Sequence, residues 1–231
     1  MSSTVDQLSG PRKTILLAIK RGGAKAASEL AVELEISTEA VRQHLMVLER
    51  DGWIDRHPDR RSSQSGGGRP TLRYGLTSEG EHLFPKHYDM LAVELFDSVS
   101  THLGSEALKH VLASMAEARV REWEPRLRGL NFEERLEALK DFYVKGDGYM
   151  EIEDRDEGPA LVERNCPIVN VVKQRPMLCA VTITALTRLL GVRVIREKSF
   201  QNGDGCCVFQ IFPNEPIDPE LIGLVVEGLG G

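Results

Sequence analysis

All four cysteines, Cys166, Cys179, Cys206 and Cys207, lie in the last 66 residues of a 231-residue chain. Their spacing is Cys166-x12-Cys179-x26-Cys206-Cys207. Clustered thiols of this kind serve metal or cluster ligation or a redox disulfide, while a buried free cysteine simply fills apolar space. No Cys-x-x-Cys occurs, so the zinc-ribbon and ferredoxin patterns both fail. Neighbouring residues on a strand point to opposite faces. In an extended Cys206–Phe212 run, Cys207, Phe209 and Ile211 share one face, and Cys206, Val208 and Gln210 share the other. The expectation is three convergent thiolates, one of them from the Cys206-Cys207 pair, plus one further ligand of unassigned identity. Cys206 is a fourth ligand or a bystander, and strand alternation favours the bystander. Cys179 falls in the first turn of a helix, where the helix dipole favours a thiolate. Pro167 fixes the backbone next to Cys166.

A second set of residues suits recognition of duplex DNA. Ser37 is the expected N-cap of a helix running to about Asp51, with Gly52 as its stop. Val41, Leu45 and Leu48 form its inward stripe, so Thr38, Glu39, Arg42, Gln43 and Met46 face outward. Arg42 suits guanine edges and Gln43 adenine edges in a major groove. Between Arg56 and Arg73 stand five arginines, Arg56, Arg60, Arg61, Arg69 and Arg73, against one acid, Asp59. Arg60, Arg61 and Arg69 flank the polar run around Gly66-Gly-Gly-Arg-Pro and suit phosphates or a narrow minor groove. That glycine run lacks the spacing of a nucleotide-phosphate loop and opens no helix.

These residues need elements to hold them. Residues 11–22 and 25–34 read as helices ahead of the Ser37-capped one. Strand-like runs follow, Trp53–Arg56 and Thr71–Leu76, around the basic loop. Three helices and then two strands is the order of a winged helix-turn-helix, assigned to residues 1–80. Residues 81–130 read as a helical linker or dimerisation segment, with Leu91, Leu95 and Val99, and again Leu108, Leu112 and Ala116, at four-residue spacing. Residues 131–231 read as an α+β domain. It has helices over 132–144 and 176–190 and strands over 148–153, 160–163, 192–200 and 206–212. The fold class expected is α+β.

Net charge is −6, which alone does not suggest a nucleic-acid binder. Its distribution matters more: residues 1–80 carry 12 basic against 10 acidic side chains, and the remainder 17 against 25. No run is apolar enough for a membrane span, and the N-terminal residues lack a signal-peptide pattern, so a cytoplasmic protein is expected. No histidine lies beyond His110, which leaves a cysteine without the usual base nearby in sequence, and no enzymatic activity is expected.

The chain resembles the SufR-type repressors over nearly its whole length. Three segments carry the likeness: Asn165-Cys166-Pro167, the run Cys179-Ala-Val-Thr-Ile-Thr-Ala-Leu-Thr-Arg-Leu-Leu-Gly, and Phe200-Gln-Asn-Gly-Asp-Gly followed by Cys207-Val-Phe. The resemblance implies a [4Fe–4S] cluster, or alternatively [2Fe–2S], on Cys166, Cys179 and Cys207. It implies a homodimer whose cluster-bound form binds an inverted repeat in double-stranded DNA and represses genes for iron–sulfur cluster assembly. Cluster loss or oxidation relieves repression. The family often has another residue at the position of Cys206. The alternative is a winged-helix regulator whose C-terminal domain binds zinc or a small organic effector.

Overall fold

Residues 4–59, 71–218 and 223–225 are described by a computed structural model, which mixes helix and sheet as an α+β chain does. The chain divides into two compact units, Met1–His87 and Tyr88–Gly231. The long helix after residue 87 therefore belongs with the C-terminal sheet.

In the first unit a short helix α1 (Thr4–Gln7) precedes α2 (Gly10–Gly22), α3 (Ala27–Leu34) and α4 (Thr38–Arg50). Ser37 caps α4: its hydroxyl accepts the Ala40 N–H at 3.1 Å. Val41, Leu45 and Leu48 are fully buried, as their spacing predicts, against Ile15, Leu16, Ile19 and Leu30. The turn between α3 and α4 bends at Glu35, which takes a left-handed φ of 55°. Lys25 and Ala26, expected in a helix, instead form a strand, β1 (Lys25–Ala26). They pair with Tyr74 and Arg73, a contact too distant in sequence for helical periodicity to register. Two further strands, β2 (Ile54–Pro58) and β3 (Leu72–Leu76), complete an antiparallel sheet in the order β1-β3-β2. A short helix α5 (Ser78–His82) follows.

The second unit begins with α6 (Tyr88–Leu127), two helical segments across a kink at Gly104, whose φ is 86°. The two apolar stripes on α6 have different fates. Leu108, Leu112 and Ala116 are buried against Val171, Val172, Leu178 and Val181. Leu91 and Leu95 are 63% and 62% exposed. A capping box at Asn131 and Glu134 starts α7 (Phe132–Lys145). Strands β4 (Met150–Glu153) and β5 (Ala160–Glu163), a short helix α8 (Val169–Val172), helix α9 (Cys179–Leu190) and strands β6 (Val192–Lys198) and β7 (Cys207–Pro216) follow. The sheet order is β4-β5-β7-β6, every neighbour antiparallel.

Pro176–Leu178, expected as part of α9, forms a 3₁₀ turn, so the α-helix proper opens at Cys179. α9 is apolar on nearly every side and accordingly buried. Ile183, Leu186 and Leu190 meet Leu161, Phe209 and Ile211 of the sheet, while Val181 joins the α6 cluster. No helix among the described residues is long and apolar enough to cross a membrane.

Candidate functional site

Cys166, Cys179 and Cys207 line one cavity of about 240 Å³ in the second unit, and Cys206 does not. Each cysteine comes from a different kind of element. Cys166 follows the end of β5, in a segment fastened to the 147–149 turn. There the Asn165 side-chain amide donates to the Asp147 carbonyl at 2.6 Å, and its backbone N–H donates to the Gly148 carbonyl at 3.1 Å. Cys179 is the first residue of α9, and Cys207 the first of β7. The segment between Cys166 and Cys179 is tied to α6 by a two-point pair between Arg175 and Asp97.

Cys206, just before β7, and Cys207, its first residue, part as the period-two rule expects. Cys207 joins Phe209 and Ile211 in the main core, whereas Cys206 packs with Ala160, Val162 and Val208 on the opposite face.

The Ile168 backbone lowers the Cys166 thiol and the Phe200 backbone lowers the Cys207 thiol. The Gln201 side-chain amide donates to Cys179 Sγ at 2.9 Å. Such donors offset the negative charge of a metal-bound thiolate. Without metal, burial dominates. It pushes the Cys166 thiol up to about 11 and the Cys207 thiol up to about 12, and the Glu163 carboxylate and Cys179 push the same way. A shift of about three units cuts the thiolate fraction about 1,000-fold, partly offset by the higher nucleophilicity of a more basic thiolate. In metal-free protein at pH 8, iodoacetamide should modify Cys207 at least about 30-fold more slowly than in the denatured chain. Peptide mass spectrometry of a labelling time course reads this, and equal rates would contradict the burial described.

Among the described residues, no group of three or more His, Cys, Asp or Glu side chains is gathered as a single metal ion requires. The cysteines share a cavity without converging on one point. A single zinc ion needs four donors about 2.3 Å away, whereas a cluster distributes its cysteines over several irons. Three thiols lining one cavity are donors that either group uses.

Other lining residues escaped the sequence reading. Glu163 sits directly opposite Cys207 in the β5–β7 register, is 8% exposed, and is hydrogen-bonded to the Cys207 thiol. Burial raises its carboxyl to about 7, against a weaker opposing pull from Arg119 and Arg196. Its signal in sequence was an acid closing the apolar run Ala160-Leu-Val, three residues before Cys166. An aromatic part of the lining is built from Trp123, Phe142 and Tyr143. Arg119 lies over the Trp123 ring and donates to Thr182 Oγ1 at 3.1 Å. The Tyr143 hydroxyl is buried with no well-formed hydrogen bond.

In the first unit, Ser37, Glu39, Arg42 and Gln43 are exposed and Thr38 is half-buried. Thr38, Glu39, Arg42 and Gln43 lie on α4 outside its buried stripe, and Arg42 pairs with Glu39 at 3.5 Å. Arg60, Arg61 and Arg69 lie outside the described residues. Arg56 pairs with Glu49, and Arg73 is held by Glu29, Asp59 and the Ala24 carbonyl. Both of these arginines spend charge on their own unit.

The chain matches no family model, no curated protein and no solved structure.

Proposed function

We propose that this chain is a DNA-binding repressor of the SufR type, in which an iron–sulfur cluster on Cys166, Cys179 and Cys207 governs an N-terminal winged helix-turn-helix. The observation that carries this reading is the arrival of three cysteines from a loop, a helix and a strand at one cavity, where the Cys179 sulfur accepts the Gln201 amide. A bound cluster would supply a crosslink among those elements that oxygen and iron shortage can remove. The chain itself shields the sulfurs from solvent, offsets their charge, and keeps the buried thiols protonated until metal displaces the protons. On this reading the gene targets are those of cluster assembly, and the setting is the cytoplasm.

The order α2, α3, α4 and then the β2–β3 hairpin supports a winged helix, with α4 as the helix that enters the major groove. Arg42 and Gln43 on its exposed face then read bases. The exposed Leu91 and Leu95 on α6 support a homodimer, which an inverted repeat in duplex DNA requires.

Anaerobic reconstitution with iron and sulfide should give a brown protein. Its binding to an operator selected from random duplexes should fall on exposure to air. Cys207→Ser should lose most of the iron and the air-sensitive binding together. A colourless, iron-free wild-type protein would sink the reading. The aromatic lining and the buried Tyr143 hydroxyl, which has no well-formed hydrogen bond, favour a second reading, a small aromatic effector in the same cavity. That reading predicts iron-free protein whose Trp123 fluorescence responds to the effector.

A further inference from the structure

We infer that Glu163 is the fourth protein ligand at the cysteine-lined cavity, completing a set of three thiolates and one carboxylate. The inference rests on the cluster reading above. Residues paired across antiparallel strands project from the same face with Cβ atoms about 5 Å apart. The Glu163–Cys207 pairing therefore delivers the carboxylate beside a cysteine ligand, into the cavity that Cys166 and Cys179 also line. Glu163 is the one buried carboxylate among the described residues. A buried carboxylate is expensive unless it is paired or bound to metal. Glu163 makes no close ion pair among the described residues: its near partner is the Cys207 thiol, and Arg119 and Arg196 act on it only through their fields.

The competing donors are weaker candidates. Cys206 faces the other side of the sheet. The Gln201 amide is already committed to Cys179. No histidine lines the cavity. Tyr143 supplies only a neutral phenol, which burial keeps from ionising. Arg119 and Arg196, which also line the cavity, offset the negative charge that four anionic ligands bring.

The test compares full-length wild type, Glu163→Gln and Glu163→Cys after anaerobic reconstitution with ⁵⁷Fe and sulfide. Thermal melting of each metal-free protein serves as the folding control. Mössbauer spectra of wild type should show one iron distinct from its thiolate-bound neighbours. In Glu163→Cys that iron should become like the others, because a thiolate replaces the carboxylate. In Glu163→Gln the cluster should be lost in air about 10-fold faster or more, the scale seen when a group supporting a metal site is removed. If Glu163→Gln does not fold, the wild-type and Glu163→Cys spectra decide alone. A wild-type spectrum unchanged in Glu163→Cys would overturn the assignment while leaving the cluster reading intact. Wild-type protein without iron or sulfide would overturn the cluster reading and this inference with it.

Discussion

Glu163→Gln should stabilise the metal-free protein at pH 8 relative to its effect at pH 4, by about 2–4 kcal/mol. In the folded chain, burial holds this carboxyl at about 7, against its ordinary value of 4.5. The folded state thus keeps a proton that the unfolded state releases between those values. Stability must fall as pH rises through that window, at about 1.4 kcal/mol per unit, and then level off above pH 7. Glutamine has no proton to lose, so the variant escapes the decline. The difference between variant and wild type should therefore grow from pH 4.5 to 7 and stay flat outside that range. Urea unfolding at a series of pH values measures it. In a Trp53→Phe background, the remaining Trp123 reports the second unit, since its ring lies 5.3 Å from the Tyr143 ring at the cavity wall. A difference independent of pH would show that the carboxyl is not held protonated. A carboxyl so shifted by burial in a cavity is a functional-site candidate on physical grounds.

Gly80→Ala should unfold the first unit at markedly lower temperature and leave the second unit unchanged. A methyl at Gly80 would stand 1.9 Å from the Trp53 carbonyl oxygen and 2.9 Å from its carbon. No rotamer relieves that clash, because every atom involved is backbone or Cβ. The carbonyl is not free to retreat either. It accepts the Thr77 N–H at 3.1 Å, and the Thr77 hydroxyl donates to the Gly52 carbonyl at 2.6 Å and accepts the Gly80 N–H at 3.0 Å. This knot joins the end of α4 to the end of the β2–β3 hairpin. Overpacking ordinarily costs about 1–3 kcal/mol, and a backbone clash this close belongs at or above the top of that range. Hydrogen exchange read by mass spectrometry separates the two units. Protection should drop across residues 4–59 and 71–87 and hold across α9 and β7. Unchanged protection at Trp53 and Thr77 would refute the close approach.

Some of this architecture is written in local sequence. Ser37, with a stripe at Val41, Leu45 and Leu48, places α4 because capping and the 3.6-residue period act within a few residues. The two faces of β7 were legible for the same reason, since alternation needs only the strand itself. Mixed helix and sheet, in the observed order, follows from such short-range patterns.

What depends on distant partners was not legible. Lys25 and Ala26 look helical until β3 comes alongside and takes up their backbone groups. Two stripes of equal spacing on α6 parted because Leu108, Leu112 and Ala116 all pack with α8 and α9, whereas of the first stripe only Val99 does. The helix start that favours a Cys179 thiolate is local, whereas the burial that pushes the Cys166 and Cys207 thiols up is a property of the assembled unit. Above all, Glu163 enters the candidate site through strand register. The residues alone show three cysteines and an acid. Only the pairing of β5 with β7 sets that acid beside a sulfur, because register is decided by how two remote strands match their buried faces.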